Sequence, residues 1–221
     1  MKLYFAPGAC SFVPHTLLET ARAPFEAVMV KLYKGEHHSP EYKAINPRSQ
    51  VPVLVDGNQV ITQIVAIVSH LYDRFPQLGF IAREPQARSR MLETLAWMNN
   101  TVHPTFTHVF MPHKFAESDA AKAEIKSFNT RLYQGHLAEL NTLVEQAAGV
   151  GQAYLAGDGF GPLDAYALTL VRWGGMVGID PEAFPASWAL VQRIAQLPAV
   201  ARAIERERLQ LNLFKPAQDP R

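Results

Sequence analysis

Asn46-Pro47-Arg48-Ser49-Gln50-Val51-Pro52-Val53-Leu54 decides how the first third of this chain folds. A turn carrying Pro47 leads into Val51-Pro52, and Pro52 opens an apolar run. Proline has no N–H to give a strand ladder, so it belongs at a strand's first residue or at an edge. Val51–Pro52 is also the expected cis peptide, because X–Pro bonds account for nearly all cis peptides. A cis bond here is expected to turn the Val51 backbone outward. Its N–H and C=O would then pair with an extended ligand, as a strand edge pairs with a peptide.

Working outward, strand and helix signals alternate on both sides. Lys2 to Phe5 reads as a short strand ending at Pro7-Gly8. Ser11 is placed to cap a helix running to about Ala21, with Pro14 tolerated in its first turn. Phe25 to Leu32 is apolar and partly β-branched, a second strand. Pro40 to Ala44 suggests a short helix, and Val51 to Val55 a third strand. Asp56-Gly57-Asn58 is a hairpin signal leading to a fourth strand, Gln59 to Thr62. Gln63-Ile64-Val65-Ala66-Ile67 then opens a helix, with Ile64, Ile67, Val68, Leu71, Tyr72 and Phe75 at helical spacing. The order βαβ-α-ββα predicts a thioredoxin-like sheet.

From about Gln86 the pattern changes to long helices. Arg88 to about Phe110 carries Met91, Leu92, Leu95, Met98 and Val102 in one stripe, with a kink expected at Pro104. Lys122 to Ala147 is a second long helix, with Ile125, Phe128, Leu132, Leu140, Leu143 and Val144 expected inward. A turn at 157–159 precedes Leu163 to Met176, apolar enough to be buried on most sides. Ser187 to Gln196 and Pro198 to Arg206 complete the bundle, and the tail ending Pro220-Arg221 is expected to be loose.

Composition bounds the function. The 221 residues are 48% hydrophobic and 19% charged, which is globular rather than disordered. A net charge of +1 predicts attraction to neither nucleic acid nor a membrane surface. A single cysteine excludes an intrachain disulfide and fits a reducing compartment. The start breaks at Pro7 without a long apolar core, unlike a signal peptide, and no run approaches the roughly 18 apolar residues of a membrane helix. The expectation is a soluble cytoplasmic protein. No His/Cys/Asp/Glu group has metal-ligand spacing.

Met1-Lys2-Leu3-Tyr4-Phe5-Ala6-Pro7-Gly8-Ala9-Cys10-Ser11, the Val51-Pro52 loop and the Gln63-Ile64-x-Ala66-Ile67 helix start together resemble the glutathione transferases, nearest the bacterial beta class. The resemblance covers essentially the whole chain. It implies an α/β thioredoxin-like N-terminal domain at 1–78, a linker at 79–86, and an all-α C-terminal helical bundle at 87–221. It also implies glutathione as substrate, an apolar small-molecule electrophile as second substrate, and a homodimer.

The same resemblance names the site. Cys10 would lie near the glutathione sulfur, just before a helix whose dipole favours a thiolate; the alternative is a small buried hydrophobe. Ser11 would hydrogen-bond the thiol or serve only as helix cap. His103 would face the interdomain cleft, with Pro104 where relatives often have lysine. Tyr4 is the remaining hydroxyl, since Phe5 stands where many members have a second tyrosine. Val51 and Pro52 would recognise the ligand backbone, and Lys34 would meet a ligand carboxylate.

Gln63 and Ile64 depart from the family's Glu-Ser pair, which holds the γ-glutamyl end. Gln63 lacks the charge, and Ile64 lacks the hydroxyl and adds bulk, although helix N-terminal amides remain for an anion. The implied activity is thiolate attack on an electrophile, or thiol–disulfide exchange through Cys10, with weakened glutathione binding. The rival is a non-catalytic binding or interaction protein on the same fold. A thioredoxin-like reductase lacks its C-x-x-C. Gly161 replaces the serine of the family's capping box, leaving Asp164 to satisfy amides at its helix start.

Overall fold

The computed structural model describes residues 1–157 and 159–215. Asp158, the centre of the expected 157–159 turn, and the tail at Pro220-Arg221 lie outside the described residues.

β1 (Lys2–Phe5), β2 (Glu26–Met29), β3 (Val53–Asp56) and β4 (Gln59–Thr62) form one four-stranded sheet in the order β2-β1-β3-β4. β1 runs parallel to β2, with Tyr4 opposite Val28, and antiparallel to β3, with Tyr4 opposite Val53. Helix α1 (Phe12–Ala21) supplies the crossover that the parallel pair requires. β3 and β4 close over Gly57-Asn58, with Asp56 opposite Gln59 and Gly57 at φ 59°, a conformation glycine adopts without a Cβ clash. Period-two alternation decides the faces of the sheet. Leu3 and Phe5 are buried in the main core with α1 and α3 (Ile64–Arg74). Tyr4 points to the other face and packs with Tyr42, Val30 and Val53 under the short α2 (Pro40–Ile45).

The rest is helical: α4 (Pro85–Trp97), α5 (His103–Phe110), α6 (Asp119–Gly149), α7 (Pro162–Met176), α8 (Pro185–Ala195) and α9 (Pro198–Glu207). This is a thioredoxin-like domain followed by a helical domain. The apolar core is continuous between them, joining Leu3, Phe5 and Leu17 to Tyr166, Leu170 and Val200. α7 is buried along most of its length, as its all-round apolar sequence requires. No helix among the described residues is long and apolar enough to cross a membrane.

One helical expectation gains detail and another needs correction. The irregularity near Pro104 is a π-helical turn over Met98–Val102, in which the His103 N–H reaches back to the Met98 carbonyl. Proline at 104 has no N–H for the regular ladder, so the helix widens ahead of it. On α6, Phe128 and Leu132 face solvent at 54% and 42% exposure, while Tyr133, Leu137, Leu140, Val144 and Ala147 are buried. The burying stripe lies one residue on from the expected one at its N-terminal half.

Candidate functional site

The loop between β1 and α1 carries Cys10, and long-range contacts fix its shape. Gly8 sits at φ 69°. Its N–H donates to Glu207 Oε2 at 2.7 Å, and its carbonyl accepts from Trp173 Nε1 at 2.8 Å and Arg172 Nη1 at 3.4 Å. The backbone angle favours glycine, and a Cβ on Gly8 would stand 2.5 Å from Arg172 Nη1, so any side chain there displaces that guanidinium. Glu207 Oε1 also bonds His15 Nδ1 at 2.7 Å, and both side chains are wholly buried. Arg172, Trp173, Glu207 and His15 carry no periodic or motif signal in the sequence. Pro7-Gly8 reads as a strand end within the family-like Met1–Ser11 stretch, with nothing to show what holds it.

Cys10 is buried, and its thiol donates to the Val51 carbonyl at 3.6 Å. The loop and the Val51-Pro52 segment therefore meet. Burial pushes the Cys10 thiol up to about 12, more than the nearby Cys10 and Ser11 amides bring it down. Of the two expectations for Cys10, burial supports the buried thiol over the thiolate: desolvation outweighs the helix-start dipole. Ser11 is corrected. Its hydroxyl is fully buried, accepts from the Ala6 N–H at 3.1 Å and donates to the Ala6 carbonyl at 3.2 Å. It makes no side-chain cap to α1. The hydroxyl staples its own loop, so it is occupied away from the cleft.

The Val51–Pro52 bond is cis. Buried Asn46 and Tyr42 hold its approach: Asn46 Nδ2 and the Tyr42 hydroxyl both donate to the Gln50 carbonyl at 2.8 Å. Asn46 Oδ1 accepts from the Arg48 N–H at 3.1 Å, and Ser49 takes φ 55° to complete the turn. Neither Asn46 nor Tyr42 was singled out from sequence, although Asn46 at the start of an Asn-Pro turn is a signal for such a side-chain lock. The Val51 N–H has no hydrogen bond among the described residues.

Gln63 is exposed at the N-cap of α3 with φ 74° and ψ 130°, a conformation rare for any residue but glycine. Its side chain caps nothing, so the first-turn amides of α3 have no side-chain partner. Ile64 is 3% exposed and belongs to the main core. The expected bulk beside the helix start is therefore corrected: the side chain turns inward, leaving that face to Gln63 and the amides. Strained backbone of this kind is held by surrounding packing and clusters at binding sites.

His103 begins α5, and its Nδ1 lies 2.8 Å from the Tyr166 hydroxyl. Tyr166 also reaches Asn99 Oδ1 at 3.3 Å. The Tyr166 hydroxyl donates its one proton to Asn99 Oδ1, so the shorter contact is a His103 Nδ1–H donating to the phenol oxygen, which leaves Nε2 of the neutral ring as an acceptor. Burial lowers the His103 pKa to about 4, so the ring is neutral near pH 7. Its ring packs 4.8 Å from Trp173, the residue that holds Gly8. His103 and the Cys10 loop thus share one wall on α7. Tyr4 contacts Tyr42 edge-on at 5.9 Å on the other sheet face. Lys34 is exposed, 5.9 Å above the Tyr33 ring. Neither makes a hydrogen bond or ion pair among the described residues that ties it to Cys10. Asp164 accepts from the Gly161 and Leu155 N–H groups at 2.9 Å each, and burial raises its carboxyl to about 6. It keeps the surviving half of the capping box, with Gly161 unable to supply the other.

A thioredoxin-like sheet docked on a helical bundle, with a cis-proline loop meeting a cysteine loop at their seam, is the glutathione transferase fold. The chain belongs to the glutathione S-transferase family: residues 1–73 match the family's N-terminal domain and residues 98–198 its C-terminal domain. It is 32% identical over 219 residues to the glutathione S-transferase GST-4.5 of Xanthomonas campestris, covering 95% of this chain and 100% of that one. Among solved structures it is similar to a sphingomonad glutathione S-transferase complexed with glutathione, at 34% identity and TM-score 0.78, covering 95% and 100% of the two chains. It is also similar to the bacterial beta class enzyme of Sphingomonas chungbukensis, at 30% identity and TM-score 0.79, covering 94% and 98%.

Proposed function

We propose that this chain is a glutathione transferase that conjugates glutathione to an apolar electrophile, with weakened grip on the γ-glutamyl end. The carrying observation is the Val51 backbone beside the Cys10 thiol, with its N–H unpaired among the described residues. A ligand amide pairing with Val51 brings its sulfur toward Cys10. The buried thiol, protonated at neutral pH, then turns its one S–H from the Val51 carbonyl to a ligand thiolate as a weak donor, leaving that carbonyl to the ligand amide. Thiol–disulfide exchange needs a Cys10 thiolate, so the burial of Cys10 favours conjugation. The α3 amides meet the γ-glutamyl carboxylate, and Gln63 offers the ligand ammonium a neutral oxygen in place of a carboxylate.

His103 contributes a neutral ring with Nε2 as an acceptor rather than a positive charge. Tyr4, Lys34 and Pro52 are secondary: Pro52 shapes the loop, while Tyr4 and Lys34 stay peripheral. Support comes from the glutathione-bound sphingomonad relative. The chain acts in the cytoplasm as a homodimer, which would cover Leu92 of α4 and Phe128 and Leu132 of α6, each more than a third exposed. Calorimetric titration with glutathione tests the proposal. Saturable binding weaker than that of a relative with the Glu-Ser pair is expected. No binding at millimolar ligand, the low-affinity end of the scale, would transfer the chain to the non-catalytic reading.

A further inference from the structure

The far end of α1 carries a feature that the cleft does not use. Glu19 is buried there, 7% exposed in its side chain, at the edge of a groove of about 430 Å³. Arg202 Nε of α9 donates to Glu19 Oε2 at 2.7 Å, and Arg202 Nη2 donates to the Glu19 carbonyl at 3.0 Å. Arg206 Nε lies 3.3 Å from Glu19 Oε1, and its guanidinium sits over the Phe25 ring, 5.7 Å from the centroid. Arg22 completes the wall. Its side chain is exposed and has no hydrogen bond or ion pair among the described residues.

One arginine neutralises Glu19. Three leave two positive charges in excess around one groove. Capping α1 and burying Glu19 explain Arg202 and Arg206, but they do not explain Arg22. That residue is the αL cap of α1 at φ 49°, a position where glycine or asparagine is favoured. Arginine there bears the left-handed backbone without a contact in return. Each guanidinium has five N–H donors. Arg22 keeps all of its own, Arg206 keeps both Nη groups, and Arg202 keeps Nη1.

We propose that this groove is an anion site for a compact soluble phosphate monoester, held by Arg22, Arg202 and Arg206 and sharing no residue with the Cys10 cleft. A phosphate dianion matches the two excess charges. Its three terminal oxygens match three guanidinium forks better than the two oxygens and single charge of a carboxylate. Glu19 keeps the occupant on the outer N–H groups by repelling it from the groove floor.

The test is calorimetric titration of inorganic phosphate and of glycerol phosphate at fixed ionic strength, on the wild type and on Arg22→Gly. One saturable site is expected, weakened by about tenfold or more in the variant, the loss of one charge-assisted contact. The same variant should melt higher, because glycine relieves the left-handed backbone. A purely structural Arg22 could not lose the anion while gaining stability. Non-saturable heats, or undiminished binding in Arg22→Gly and in Arg206→Gln alike, overturn the site. Flotation with vesicles of phosphatidic acid in phosphatidylcholine should leave the chain unbound. Flotation that depends on Arg22, without binding of glycerol phosphate, overturns the soluble-ligand form of the proposal.

Discussion

Replacing Gln63 and Ile64 by the family's Glu and Ser, separately, should give opposite results. Ile64 is 3% exposed in the main core. Truncating a buried isoleucine costs about 2–5 kcal/mol through lost transfer energy and the cavity left behind. A serine hydroxyl without a partner there adds about 1–3 kcal/mol. Ile64→Ser should therefore remove on the order of 4 kcal/mol, a large share of a typical total of about 5–15 kcal/mol. It should tighten glutathione little, because the new hydroxyl points where the isoleucine points.

Gln63 is exposed, so Gln63→Glu disturbs no packing. A carboxylate at the start of α3 gains about 0.3–1 kcal/mol from the helix dipole. A charge-assisted bond to the ligand ammonium is worth about 1.5–3 kcal/mol, and solvent screening reduces it toward about 1 kcal/mol, or roughly fivefold in affinity. Urea denaturation and glutathione calorimetry on the two single variants check both halves. An Ile64→Ser protein with an unchanged urea midpoint and tenfold tighter glutathione would refute the inward placement of this side chain.

Gly8→Ala should destabilise by about 2–4 kcal/mol. The left-handed backbone costs roughly 1–2 kcal/mol, and the rest comes from pushing Arg172 off the Gly8 carbonyl. Urea denaturation measures the loss, and faster labelling of Cys10 by a thiol reagent should accompany it. Burial sets the folded pKa of His103 at about 4, below its unfolded 6.5, so its contribution is full above pH 6.5 and is lost as pH falls toward 4. That gap corresponds to about 3 kcal/mol; denaturation at stepped pH should show wild type losing this much more than His103→Asn. Light scattering at micromolar concentration should give twice the chain mass, and a monomer would remove the homodimer from the proposal.

The strands and helices were legible because their signals are local. Pro52 stands one residue before β3, Gly57-Asn58 closes the hairpin, and the Ile64–Phe75 spacing marks α3, which ends at Arg74. What was hidden depends on side-chain direction and on distant partners. Ser11 reads as a cap, yet its hydroxyl bonds Ala6, five residues back in the loop. Ile64 starts a helix in either reading, but only the docking of α3 on the sheet decides that it faces the core. Cys10 stands where a dipole would lower its pKa. The packing that buries it, and so reverses the shift, comes from residues far along the chain.

The clamp on Gly8 shows why the cleft cannot belong to the first domain alone. Gly8 is held by Glu207 from α9 and by Arg172 and Trp173 from α7, all from the helical domain. Arg172 Nε also donates to the Gln210 carbonyl at 2.8 Å, tying the segment after α9 to the same loop. That segment lies close on α7 because Gly175 has no side chain; a Cβ there would stand 2.6 Å from the Phe214 nitrogen. Through Arg172, a change at Gly175 would reach the Cys10 loop from the opposite end of the sequence. An isolated thioredoxin-like domain would keep Val51 and the start of α3. It would lack the donors and acceptor that fix the Cys10 loop, as well as His103, so the helical domain supplies part of the proposed site as well as a cover for the core.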